Sequence, residues 1–183
     1  MSKVSIRDNI EKSMKWVISM ARKVFFSFHF DADHWRASQV RQIGSLEGND
    51  ELSDNDWEAV KRSGNAAVEN WIDGQLSGRS CAVVLVGSAT AGRPWINYEI
   101  KKAWELKKGL VGIRIHKLLN TKSQAAVAGA NPFSAYNING TPLSSIVTLY
   151  DPPGMDSKAA YKSIGDNISG LVESAITTRN KYA

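Results

Sequence analysis

A chain of 183 residues with 43% hydrophobic content is long enough for one domain with a proper core, and its net charge of +5 and pI near 9.3 admit an anionic ligand such as a dinucleotide, or nucleic acid. A single cysteine, Cys81, lies in an apolar run; it excludes an intramolecular disulfide framework and reads as a small buried core residue in a reducing compartment. No apolar stretch approaches the roughly 20 residues that cross a bilayer and no signal-peptide cleavage pattern is visible, so a soluble, cytoplasmic protein is expected.

Residues 2–19 read as an amphipathic helix, with Ile6, Ile10, Met14 and Val17 on one side and Lys3, Arg7, Lys12 and Lys15 elsewhere. Such a helix docks on the domain, on a partner or, less often, on a membrane surface. Alternatively, translation begins at Met20, because Met20-Ala21-Arg22-Lys23 runs directly into the first strand. The expected division is an N-terminal helical extension over 1–21 and one domain over 22–183.

Within that domain, 24–28 is a short β-rich run, 34–44 a helix, 47–56 a polar and acidic loop, and 65–76 a helix. The apolar run 81–86 is the central strand. Pro94 opens a helix over 94–107, in which Ile96, Ile100, Ala103 and Trp104 recur at three- and four-residue spacing, with Trp95 and Glu99 one turn apart on the adjacent face. Strands are expected at 110–115 and 145–149, and a closing helix at 157–177 with Tyr161, Ile164, Ile168, Leu171 and Ala175 facing inward. Nothing between Gly44 and Asn65 reads as a clean strand. The connection over 117–144 is long enough to be either a lid or a disordered surface insertion.

Continuous apolar strands separated by helices indicate an α/β fold, a flavodoxin-like three-layer sandwich with a mostly parallel central sheet. In such sheets ligands bind beyond the carboxyl ends of the strands, where the strand order reverses. Three stretches fall on that edge: 27–31 after the first strand, Gly87-Ser88-Ala89-Thr90 after the central strand, and the helix start that carries Trp95 and Glu99. Gly87 and Ser88 permit close approach to backbone amides, and the helix N-terminus favours an ionised Glu99. A carboxylate there binds a ribose diol or stabilises an oxocarbenium-like centre as a glycosidic bond breaks, while Trp95 and Phe28 offer faces for a nicotinamide or adenine ring. Read from the residues alone, Glu99 serves equally well as a surface partner of Lys102.

Other chemistries find less support. His29, His34 and His116 lack the cysteine or carboxylate spacing of a zinc site, so no metal is expected. Gly87-Ser88 has no lysine at phosphate-loop spacing, and Ser88 sits in no GxSxG elbow. Asp31 and Asp33 suggest a receiver's acidic pocket, but the central strand ends in glycine and serine where a receiver needs an aspartate. Lys101, Lys102, Lys107 and Lys108 read as the solvated face of one helix, so neither nucleic acid nor membrane is an expected partner.

At these residues the chain resembles a TIR-like domain of the bacterial Thoeris anti-phage type. The resemblance is carried by Lys23-Val24-Phe25-Phe26-Ser27-Phe28-His29 with Asp33, by Trp71-Ile72 ahead of 80–87, and by Thr90, Arg93, Trp95 and Tyr98-Glu99-Ile100. Gly112-Ile113-Arg114-Ile115-His116 and Asn131-Pro132-Phe133 complete it. The stretch 44–65 and the leader lie outside the pattern. The resemblance implies an enzyme that cleaves the nicotinamide–ribose bond of NAD, with NAD as substrate and no separate cofactor, through a glutamate in a W-x-x-x-E arrangement that Trp95 to Glu99 reproduces. It implies Glu99 as the catalytic residue and Ser27, Phe28, His29, Asp33, Ser88, Thr90 and Trp95 as the lining of the NAD pocket. It further implies a cyclic ADP-ribose isomer or an ADP-ribose conjugate as product, acting on a separate effector, with a phage-derived trigger and homo-oligomerisation as further expectations. Two other readings remain open, a non-catalytic TIR adaptor and a nucleoside deoxyribosyltransferase-like enzyme.

Overall fold

Strand β1 (Arg22–Phe28) alternates its side chains between two helical layers, with Val24 and Phe26 in one core and Phe25 in the other. The computed structural model describes residues 21–48 and 59–182; the expected leader helix, the alternative start at Met20 and most of the acidic loop lie outside them. Beside β1 run β2 (Leu46–Glu47), β3 (Cys81–Val86), β4 (Gly109–Arg114) and, beyond a small antiparallel hairpin of β5 (Asn137–Ile138) and β6 (Thr141–Pro142), β7 (Leu149–Tyr150).

The sheet order is β2-β1-β3-β4-β7 and every pairing in it is parallel. The register sets Ser27 against Val84 and Phe28 against Leu85, and Val86 against Arg114. All six residues of β3 are buried, as a strand covered on both faces requires. The chain steps outward from β1 to β2 and then returns to β3 on the other side, so the order reverses between the carboxyl ends of β1 and β3.

Helices α1 (Phe30–Arg41) and α5 (Ser157–Asn180) cover one face, with Ala37, Val40, Ile164 and Ile168 against Val83, Leu85 and Ile113. Helices α2 (Asn65–Leu76) and α3 (Pro94–Glu105) cover the other, with Ile72, Leu76, Ile96 and Ile100 against Phe25, Val84 and Val86. The arrangement is the expected flavodoxin-like sandwich. Cys81 is fully buried and free. No helix among the described residues is long and apolar enough to cross a membrane.

Several local expectations are corrected. The strand that does not read cleanly between Gly44 and Asn65 is the two-residue β2, paired with Arg22 and Lys23 at the sheet edge and too short to leave a periodic signal. Helix α1 starts at Phe30 rather than at 34, which brings Asp31 and Asp33 into its first turn, where the helix dipole favours acids. The strand expected over 145–149 is cut short because a one-turn helix, α4 (Leu143–Ile146), takes its first half and only Leu149 and Tyr150 pair with β4. On α5 the inward stripe runs through Ala160, Ile164, Ile168, Val172, Ala175 and Arg179, while Tyr161 is exposed and Leu171 lies at the margin of the core. The 117–144 connection is built, not disordered: Leu118 is buried in one core and Phe133 in the other, with a 3-10 turn over Pro132–Ala135 capped by Asn131.

Candidate active site

Alternation along β1 directs Ser27 to the same face as Phe25, a position that an apolar residue fills elsewhere in the sheet. Above it, α3 buries the stripe Ile96, Glu99, Ile100 and Ala103, so Glu99 lies within the buried face and not beside it as expected. The two misfits meet. Ser27 is 1% exposed and Glu99 7%, and the Ser27 hydroxyl donates a short hydrogen bond to Glu99 Oε2. Lys102, the alternative partner of Glu99, instead pairs with Asp73 of α2 at 2.7 Å.

Burying a carboxyl group disfavours its charged form, and this outweighs the Ser27 hydrogen bond that opposes it. Glu99 is accordingly raised from 4.5 to about 8, so the acid is mostly neutral at pH 7. The ionised Glu99 expected from the helix N-terminus is therefore corrected. Glu99 sits in the second turn of α3, where the dipole has faded and desolvation dominates. A buried acid poised near neutrality at the tip of a parallel sheet has no role in holding the fold, since an apolar residue there packs without the cost of desolvation.

Around this pair the other expected site residues divide into two groups. Phe28 and His29 are half-buried at the end of β1, and Phe28 stacks on Phe30 with ring centroids 6.1 Å apart. The His29 Nδ1 atom is buried with no hydrogen-bond partner among the described residues. Ser88 is exposed on the turn after β3, and Trp95 is half-buried in the first turn of α3 with its ring edge-on to Tyr98 at 6.2 Å. These four leave surface at the carboxyl edge.

Thr90 and Asp33 are instead fully enclosed. Thr90 Oγ1 accepts from the Gly87 N–H at 2.9 Å, closing the turn that ends β3. Asp33 pairs through Oδ1 with Arg36 at 3.2 Å, and its Oδ2 lies so close to Gly87 that a Cβ built there falls 2.0 Å away. Burial raises its pKa against the opposing pull of the Arg36 charge. Gly87 is thus required by the close approach of α1 to the strand tip.

Arg36, Arg114 and Gly129 escape a reading of the sequence alone as members of this edge. Arg36 is 5% exposed and donates to the Leu118 carbonyl at 2.8 Å as well as to Asp33. Its i+3 spacing from Asp33 is the one available signal. Arg114 reaches the Gly129 carbonyl at 2.5 Å across a separation that no local pattern encodes.

A doubly covered parallel sheet with a buried acid at the point of strand reversal defines a flavodoxin-like α/β domain with a candidate site at its carboxyl edge. The sequence model of the family described as Thoeris protein ThsB, TIR-like domain, matches residues 25–120, and the chain belongs to that family. It is also 34% identical over 119 residues to a protein of Bacillus cereus (strain MSX-D12) named "Putative cyclic ADP-D-ribose synthase ThsB1". That alignment covers 62% of this chain and 62% of the relative.

Proposed function

We propose that the protein cleaves the bond between nicotinamide and ribose in NAD and makes an ADP-ribose-derived signalling nucleotide in anti-phage defence. The observation that carries this reading is the buried Ser27–Glu99 pair at the sheet edge, supported by the family and by the name of the Bacillus cereus relative. Glu99 is the catalytic residue. The nicotinamide ring of NAD is cationic at N1, and a positive charge near the carboxyl group favours its ionised form. Substrate binding therefore deprotonates Glu99.

As the ribose C1′–N1 bond breaks, its electron pair leaves with nicotinamide and the positive charge moves to the ribose C1′ and ring oxygen. The fixed carboxylate is then beside the developing charge, oriented by the Ser27 hydroxyl, and needs no solvent to reorganise. Phe28, His29, Ser88 and Trp95 supply the contact surface for the dinucleotide. Asp33 and Thr90 shape the wall behind it. NAD is substrate, and no separate cofactor enters these steps. We further place the reaction in the cytoplasm, with a diffusible product acting on a separate effector, a phage component as trigger and self-association as a route to activation.

Incubating the purified chain with NAD and, separately, with deoxynucleosides, and resolving products by mass spectrometry, tests the reading. Nicotinamide release that Glu99→Gln abolishes supports it. Base exchange between deoxynucleosides with NAD untouched identifies a deoxyribosyltransferase-like enzyme, and NAD left intact even by clustered protein and in extracts of infected cells identifies an adaptor.

A further inference from the structure

Residues 117–136 cross the carboxyl edge of the sheet from one helical layer to the other. On the α1 side Leu118 is buried, and Arg36 donates to the carbonyls of Leu118 at 2.8 Å and Gln124 at 3.1 Å. In the middle, Gly129 lies against the exit of β3, where a Cβ built on Gly129 falls 2.1 Å from the Gly87 carbonyl oxygen, and Arg114 holds the Gly129 carbonyl at 2.5 Å. On the α3 side Phe133 is buried, and the Tyr136 hydroxyl donates to the carbonyl of Asn97, two residues before Glu99, at 3.1 Å. A segment tied at both ends and pressed onto backbone in the middle is a fixed strap, since buried apolar side chains, the Tyr136 hydroxyl and two guanidinium groups hold it along its length.

We infer that this strap excludes water from the ribose centre, and that Gly129 and Arg36 determine what fraction of the reaction ends as free ADP-ribose. The inference rests on the NAD-cleaving reading above. Once nicotinamide has left with the bonding electron pair, C1′ takes a new bond from whichever nucleophile reaches it. Water adds through oxygen, loses a proton and yields ADP-ribose; a nucleophilic atom already enclosed with the sugar adds instead, sheds any proton it carries, and yields the cyclised or conjugated product. Closing a site against water protects a reactive intermediate from hydrolysis. A methyl group on Gly129 has no space against the Gly87 carbonyl, so Gly129→Ala is expected to part the strap from the exit of β3, a contact whose nearest atoms belong to Gly87 and Ser88 and not to Glu99 or Ser27.

The test compares wild type, Gly129→Ala, Arg36→Met, Arg36→Lys and a control, Gly74→Ala, whose added Cβ meets nothing within 4 Å. Each chain is incubated with NAD, and ADP-ribose and the other adenine-containing products are quantified by mass spectrometry alongside hydrogen exchange of the Leu118 and Ala126 amides, which donate to the Ile115 carbonyl at 3.0 Å and the His116 carbonyl at 2.8 Å. The expected result is an at least fivefold rise in the ratio of ADP-ribose to other products in Gly129→Ala and Arg36→Met, partial recovery in Arg36→Lys, faster exchange of both amides, and no change in the control. A merely structural role lowers total turnover without moving that ratio. Should Arg36→Met fail to fold, Gly129→Ala carries the comparison. An active wild type with a ratio unchanged within twofold in Gly129→Ala overturns the strap alone, and a wild type that releases only ADP-ribose overturns the strap together with the signal-synthesis part of the reading. A wild type that leaves NAD intact in infected-cell extract overturns the underlying reading with it.

Discussion

Glu99 is a stability defect at neutral pH, and that defect is measurable. Between about 4.5 and about 8 the unfolded chain has lost this proton while the native chain holds it, so the native state loses stability as pH rises through that window and the loss levels off above it. Glutamine does not titrate. Glu99→Gln is therefore expected to stabilise the protein by on the order of a few kcal/mol near pH 8, with the gain shrinking toward pH 4.5, while nicotinamide release falls by about a thousandfold or more. Thermal melting of both proteins across that pH range checks the first part, and a difference independent of pH contradicts the burial argument. Ser27→Ala removes the hydrogen bond that favours the carboxylate. It is expected to lower turnover about tenfold and to move the pH profile of kcat/KM to higher pH.

The helices show how far local pattern reaches. Helix α2 has the bounds the sequence suggests, because Val68, Ile72 and Leu76 form one stripe at helical spacing. Helix α5 runs on to Asn180 because Arg179 fastens its last turn: the guanidinium donates to the Trp104 carbonyl at 2.9 and 3.3 Å and lies 4.4 Å from the Trp104 ring. This tie closes the C-terminal end of α3, the helix that carries Glu99. Arg179→Met is expected to cost about 1–3 kcal/mol in urea unfolding, and a change below about 0.5 kcal/mol leaves the tie without energetic weight. Gly170 sits inside α5 with nothing within 4 Å of an added Cβ. Gly170→Ala should raise stability by about 0.5–1 kcal/mol, since only the glycine's backbone entropy is removed. The short elements β2, α4 and β7 escape sequence patterning because two to four residues hold no period, and their pairing is set by the neighbouring strand.

For the molecule as a whole, the same buried acid couples ligand binding to protons. If binding a cationic nicotinamide ionises Glu99, NAD uptake at pH 7 releases close to one proton, and at pH values well above 8 none, because the group is then already ionised. Titration calorimetry in buffers of different ionisation enthalpy reads that number directly. The same sign makes kcat/KM climb with pH and level off above about 8. A flat profile from pH 6 to 9 sinks the mechanism while leaving the fold untouched.

The alternation of apolar strands with amphipathic helices sufficed for the layered sheet and for its carboxyl edge as the expected place of a ligand, because each rests on periodicities of two and of three to four along one segment, whereas Glu99 stood out from a surface partner of Lys102 only through the family resemblance. What the tertiary structure alone decided is the burial of that acid and the course of the 117–136 segment across the sheet edge. Ser27 and Glu99 are 72 positions apart and become one buried pair only when α3 lies across β1. The approach of Gly129 to Gly87, with Arg36 and Arg114 holding the strap, joins segments that share no local pattern. Desolvation and steric contact depend on what surrounds a group in three dimensions, and no spacing along the chain encodes them.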